Sequence, residues 1–227
     1  MCERYVLPSQ PDTERELAPA QCWWRFSPSF NVAPGQYVPA VQLHAGQTEG
    51  VMMRWGLIPA WAEGDVSKVK EQTAHVAPDD IERSYIYGTP WLNGQRCIVP
   101  FAGFYVWQLT PQKYRQPHFV RVRDRACFGV AAVWDRSTNE DDDVIEGFAL
   151  LTVPVNSLVG ELDTRIAPRM PAILRSSDYK AWFESTPAQA KALLRPYPAE
   201  EMEAYPVSPR VNSLRYNGPE LIEPITY

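Results

Sequence analysis

Cysteine and histidine are scarce in this chain of 227 residues, with four of the first and three of the second. Cys2, Cys22, Cys97 and Cys127 include no C-x-x-C pair, and His44, His75 and His118 form neither an H-E-x-x-H nor an H-x₃-H pattern. A structural zinc site is therefore not expected, nor is any other metal or cofactor. No apolar run reaches the roughly 18 residues of a membrane span. The amino terminus also lacks a basic segment followed by an apolar one, so a cytoplasmic protein without a membrane partner is expected. Positive charge is short as well: 22 Lys and Arg face 27 Asp and Glu, for a formal net charge of −5. Coating of nucleic acid by bulk charge is thereby excluded, although a local basic groove is not. Internal repeats and low-complexity linkers are missing, and one domain over residues 1–227 is expected, long enough for a buried core.

Proline, by contrast, is abundant at 22 residues, about twice ordinary usage. Each proline fixes φ and removes a backbone donor, which predicts a loop-rich α+β fold, rich in β-strand, with short peripheral helices. Alternating or β-branched runs predict strands over residues 37–45 and 50–58, with Gly46 in the turn between them. Two more are predicted over 95–109, meeting at a bend near Pro100 and Gly103. Residues 118–134 read as a hairpin turning at Asp124–Arg125, and 146–153 as a buried strand behind the exposed loop 139–144. A short helix within 8–22, capped by Asp12 or Thr13, and two late helices over 176–185 and 187–197 complete the pattern. Cys97 and Cys127 read as core thiols.

Cys2 stands apart. Removal of Met1 would leave its thiol and α-amino group on adjacent carbons, titrating near roughly 8.5 and about 7.7–8.0. Such a 1,2-aminothiol condenses with an aldehyde, first to an imine and then to a five-membered thiazolidine. The same pair also fits an N-terminal nucleophile hydrolase, whose thiol attacks a carbonyl while the amine serves as base. A cysteine at position 2 is equally compatible with no role. Elsewhere, Arg165 and Arg169 flank a proline-stiffened loop and could fork a phosphate, and Trp61 follows Pro59 where an indole could line a groove.

Taken in order, C-x-R at the start, "NVAPGQ" (31–36), "RWGLIPAW" (54–61), "QRCIVPFAGFYVW" (95–107), "PRMPAIL" (168–174) and "RVNSLRYNGPELIEPI" (210–225) resemble the SOS-response-associated peptidase (SRAP) family of abasic-site processing proteins. The resemblance runs over nearly the whole chain. It implies a β-rich fold with a positively charged groove for single-stranded DNA, in which the amino-terminal cysteine forms a thiazolidine crosslink with the ring-opened aldehyde of an abasic site. It further implies that Arg4, Asn31, Pro34, Trp61, Arg83 and Arg169 contact the strand or shape its pocket, and that His75 stands where an arginine meets phosphate. A monomer is expected.

The resemblance also marks departures. Glu3 replaces a glycine, Thr73 an asparagine that orients the cysteine, Val106 a catalytic glutamate and Ala167 a histidine. A positioned acid–base group contributes about 10²–10⁴-fold, so weakened crosslinking is expected unless His75 or, less suitably placed, His118 substitutes. A non-enzymatic member that binds DNA or a protein partner through the same groove is the alternative, and self-directed peptidase activity by Cys2 a third.

Overall fold

The computed structural model describes residues 3–69, 72–79, 81–163 and 165–225. Its strands are β1 (Tyr5–Leu7), β2 (Gln21–Cys22), β3 (Ser29–Val32), β4 (Tyr37–His44) and β5 (Gln47–Trp55). There follow β6 (His75–Val76), β7 (Arg96–Phe101), β8 (Gly103–Leu109), β9 (Arg115–Val122) and β10 (Phe128–Thr138). The last three are β11 (Val144–Pro154), β12 (Arg169–Pro171) and β13 (Met202–Pro206). Short helices α1 (Gln10–Leu17), α2 (Gly88–Leu92), α3 (Ser157–Leu162), α4 (Tyr179–Glu184) and α5 (Pro187–Leu193) lie between them. The fold is thus the β-rich α+β arrangement that the sequence predicts.

Strands β11, β10, β7, β4 and β5 pair antiparallel in that order. β5 then meets β11 in parallel, Arg54 opposite Gly147 and Trp55 opposite Phe148, which closes a five-stranded barrel. Closure leaves no free edge among those strands where they pair. Gly147 permits it, because a Cβ there would lie 2.8 Å from the Gly56 carbonyl oxygen. β6 and β12 extend the barrel sheet along β11.

The second sheet runs β13–β9–β8–β1–β3, antiparallel throughout. It joins the barrel through β1. Tyr5, fully buried, stacks on Phe101 at 3.9 Å between ring centroids and meets Trp55 edge-on at 5.3 Å. Burial of such a ring stabilises by roughly 1.5–3 kcal/mol, so β1 is held firmly, and the residues just before it are delivered to a fixed place.

Two local expectations are corrected. The turn at Asp124 exists, with φ 55°, but residues 118–134 are no hairpin. β9 pairs with β8 and β13, while β10 pairs with β7 and β11, because the chain changes sheet at that turn. The cap of α1 is Ser9, whose hydroxyl accepts from the Asp12 N–H, with Pro11 in the first turn. Asp12 lies one turn inside, where a carboxylate favours the helix N-terminus.

Late in the chain, the buried Arg96 donates to the carbonyls of Trp182, Phe183 and Ser185 at the end of α4. Its guanidinium also lies 5.8 and 5.7 Å from the Trp91 and Trp182 ring centroids. A cation there satisfies carbonyls that the helix itself cannot, which anchors α4 to the barrel.

Candidate functional site

Glu3 and Arg4, directly ahead of β1, line two adjoining cavities, one on the barrel side and one on the side of the second sheet. The barrel-side cavity, about 430 Å³, is lined by segments held in place by main-chain hydrogen bonds. Gly56 N–H donates to the Phe148 carbonyl at 2.8 Å and Leu57 N–H to the Thr73 carbonyl at 3.2 Å. The Trp55 indole N–H reaches the Ala74 carbonyl at 3.0 Å. Gly56 has φ 123°, and a Cβ on it would lie 2.6 Å from Nη1 of Arg54, which donates to the Gly56 carbonyl at 2.7 Å. Pro34 and Gly35 form one rim, with Gly35 N–H bonded to the Trp55 carbonyl at 2.7 Å. His75 stands on the far wall, its ring edge-on to Trp55 at 5.5 Å.

The sheet-side cavity, about 340 Å³, is lined by residues from separate elements. β8 supplies Val106 and Trp107, β9 supplies Arg115, and β12 supplies Arg169. Asp163, Arg165 and Asn212 complete the ring. Arg165 forks onto Asp163, with Nε to Oδ1 at 2.7 Å. Burial opposes ionisation of Asp163, but the hydrogen bonds and charge of Arg165 outweigh it and hold the carboxyl below the ordinary range. Arg169 donates from Nε and Nη2 to Thr152. The Trp107 indole N–H donates to Asn212 Oδ1 at 2.7 Å. Four arginines, including Arg4, thus face two carboxylates, Glu3 and Asp163, in a protein of net charge −5.

The structure places Pro34 and His75 on the barrel-side cavity, Arg169 on the sheet-side cavity and Arg4 on both. Cys2, the expected nucleophile, lies outside the described residues. Three other candidates lie off the cavity walls. Asn31 is buried and donates to the carbonyls of Val211, Ser213 and Tyr216 at 3.1, 3.1 and 3.0 Å, so it holds the loop that presents Asn212. Trp61 is 46% exposed and rests against Tyr85, with ring centroids 5.8 Å apart and its indole N–H on the Tyr85 carbonyl. Arg83 is exposed on the neighbouring turn Ile81–Arg83.

Of the replaced positions, Thr73 and Val106 line cavities, while Ala167 is exposed at φ 50° on neither wall. His118 is buried opposite Val106 in the β8–β9 register and lines neither cavity. Arg54, Trp107, Arg115, Asn212 and Tyr85 were not anticipated. An arginine on a strand has the same sequence signature whether it faces water or a cleft.

The described thiols offer no competing nucleophile. Burial pushes the Cys97 and Cys127 thiols well up, and burial followed by the charge of Glu14 raises that of Cys22; a reactive cysteine needs the opposite shift. Among the described residues no group of three or more His, Cys, Asp or Glu could hold a metal ion, and no helix is long and apolar enough to cross a membrane.

Comparison with known proteins agrees with the geometry. Residues 1–214 match the family described as SOS response associated peptidase (SRAP). The chain is 30% identical to the abasic site processing protein YoqW of Bacillus subtilis (strain 168), over 98% of this chain and 99% of that protein. It is 31% identical to the abasic site processing protein HMCES of Gallus gallus, over 88% of this chain and 67% of that protein. A crystal structure of a protein from Bacteroides thetaiotaomicron shares its fold with a TM-score of 0.78 at 25% identity, over 87% of this chain and 85% of the other. With cavities, basic rim and barrel in place, the chain belongs to the SOS response associated peptidase (SRAP) family.

Proposed function

We propose that this protein binds a single strand of DNA along the two cavities and, once Met1 is removed, crosslinks an abasic-site aldehyde through Cys2, slowly. The amine would add to the aldehyde carbon and lose water to give the imine. The thiolate would then add to the imine carbon as nitrogen takes up a proton, closing the thiazolidine. One observation carries the reading: Glu3 and Arg4, which follow Cys2 in sequence, line both cavities beside Arg54, Arg115, Arg165 and Arg169. Phosphates favour such a rim through forked, charge-assisted hydrogen bonds.

The slowness follows from carbon at two positions. Val106 is 7% exposed and lines the sheet-side cavity, yet it can neither give nor take a proton, and Ala167 carries only a methyl group. Loss of positioned proton transfer costs about 10²–10⁴-fold per group. Proximity alone still drives condensation of a free aminothiol.

Incubation of Met1-free protein with abasic single-stranded DNA, resolved on a denaturing gel, tests this. A slow shifted band that Cys2→Ser abolishes is expected. Absence of any Cys2-dependent band removes the crosslinking and favours the second reading, a non-enzymatic strand-binding protein, for which the carbon at Val106 and Ala167 argues. Val106→Glu together with Ala167→His and Thr73→Asn should then revive the band.

A further inference from the structure

We propose that Glu3 is a catalytic residue of the crosslinking: its carboxylate takes the proton of the hydroxyl on the sugar's C1 as the ring opens and returns it to the hydroxyl that leaves as water. The inference rests on the crosslinking reading above and names the group that carries its protons.

Few groups on the two cavities can carry a proton. Arginine does not give up its own, and the buried Tyr105 hydroxyl is spent on the Phe30 carbonyl at 2.7 Å. Among the described residues that line the cavities, the carboxyl and imidazole groups are Glu3, Asp163 and His75. Asp163 is buried, and Arg165 forks onto it and holds it below the ordinary range, which makes it a weak base. His75 lines the barrel side alone. Glu3 lines both sides and is exposed, so it can exchange protons with solvent between turnovers. The backbone says where that carboxylate stands. β1 pairs antiparallel with β8, Tyr5 opposite Phe104 and Val6 opposite Gly103. The contact continues outward, where the Arg4 carbonyl accepts from the Tyr105 N–H at 3.1 Å. Counting on sets position 3 opposite position 106, and residues so opposed share a face. Both line the sheet-side cavity. The Arg165 guanidinium is raised first by Asp163 and to a lesser degree by the charge of Glu3, so the two carboxylates act on one region. The carboxylate that β8 lacks at Val106 comes from across the strand pair, on the residue that follows Cys2 in sequence.

The protons balance around that group. Glu3 removes the C1 hydroxyl proton, the C1–O4 bond breaks with its electron pair going to O4, and O4 takes a proton from water. The Cys2 amine adds to the aldehyde carbon so formed. The Glu3 carboxylic acid then protonates the hydroxyl on that carbon, which leaves as water, and the imine that remains carries the proton on nitrogen. Addition of the sulfur closes the thiazolidine, while the thiol proton passes to the hydroxide left in solvent. The place of Ala167 stays unfilled, so the reaction stays slow.

The test times the Cys2-dependent band that Met1-free protein forms on abasic single-stranded DNA. Binding of a strand with a tetrahydrofuran analogue, which has no aldehyde and cannot crosslink, is measured alongside by anisotropy. Glu3→Gln should slow the band about a hundredfold. It should leave binding of the analogue equal or tighter, because a negative charge has left an arginine-lined cleft. Glu3→Asp should recover part of the rate. An unchanged or faster band in Glu3→Gln overturns the inference, leaves the crosslinking standing and makes Glu3 only a charge that repels phosphate. A rate lost merely in proportion to lost binding of the analogue overturns it too. No Cys2-dependent band from the unsubstituted protein overturns the inference and the crosslinking together.

Discussion

The two cavities flank the same pair of residues, yet they are built differently. The barrel-side cavity runs along segments held by backbone hydrogen bonds, Gly56–Phe148 and Leu57–Thr73, with the barrel closure beneath. The sheet-side cavity has several side chains held by side-chain hydrogen bonds: Trp107 by Asn212, Arg165 by Asp163, Arg169 by Thr152. A segment held by backbone hydrogen bonds changes little when one side chain is replaced. A cavity held by side-chain partners can lose its chemistry one residue at a time, and Val106 puts carbon on the sheet-side wall. The expected departures fall in both halves, with Thr73 and His75 on the barrel side and Val106 on the sheet side.

Substitutions can separate the halves. Tyr5→Ala should have the largest effect, a loss of about 3–5 kcal/mol in a denaturant melt. It removes the ring that joins the two sheets, so both cavities should lose ligand binding together. Asn31→Ala should cost about 2 kcal/mol, since three carbonyls of the 211–216 loop lose their donor. Its binding defect should be confined to the sheet side and match that of Asn212→Ala. Gly56→Ala should cost about 1–2 kcal/mol, from a left-handed φ and a clash with Arg54. Here the barrel side alone should suffer, and a defect spread over both halves would show that the walls are coupled.

His118 gives the smallest effect. Burial depresses its imidazole below the ordinary value of 6.5, with the Gln116 carbonyl opposing in part. The folded state therefore binds fewer protons than the unfolded chain as pH falls. The resulting stability is fully present above about pH 6.5 and is lost as pH drops through the depressed value. A pH series of melts should show that decline, and His118→Gln should flatten it.

Much of this was legible in the sequence where a single local rule decides. The strands over 37–45, 50–58 and 95–109 emerged because β-branched and aromatic alternation is a local signal. The 118–134 segment was misread because choice of partner is not local: the same two runs and turn serve a hairpin or a change of sheet. At the site, the resemblance put Pro34 and Arg169 at the pocket, and both line a cavity. The resemblance gave Asn31 to the strand or the shape of its pocket, and its amide nitrogen donates to carbonyls of the loop that carries Asn212. Arg54 and Arg115 carry no motif of their own. Only the register of β5 and β9 against their neighbours shows which way they face.

The stacking of Tyr5 on Phe101 also constrains the order of events on the ribosome. Tyr5 emerges early, but the ring it must cover is about a hundred codons behind it, a wait on the order of ten seconds at ordinary elongation rates. Arg54 waits similarly for Gly147 before the barrel can close. Throughout that interval Glu3 and Arg4 have no finished cavity to line, because Arg115, Arg165 and Arg169 are made only after half of the chain.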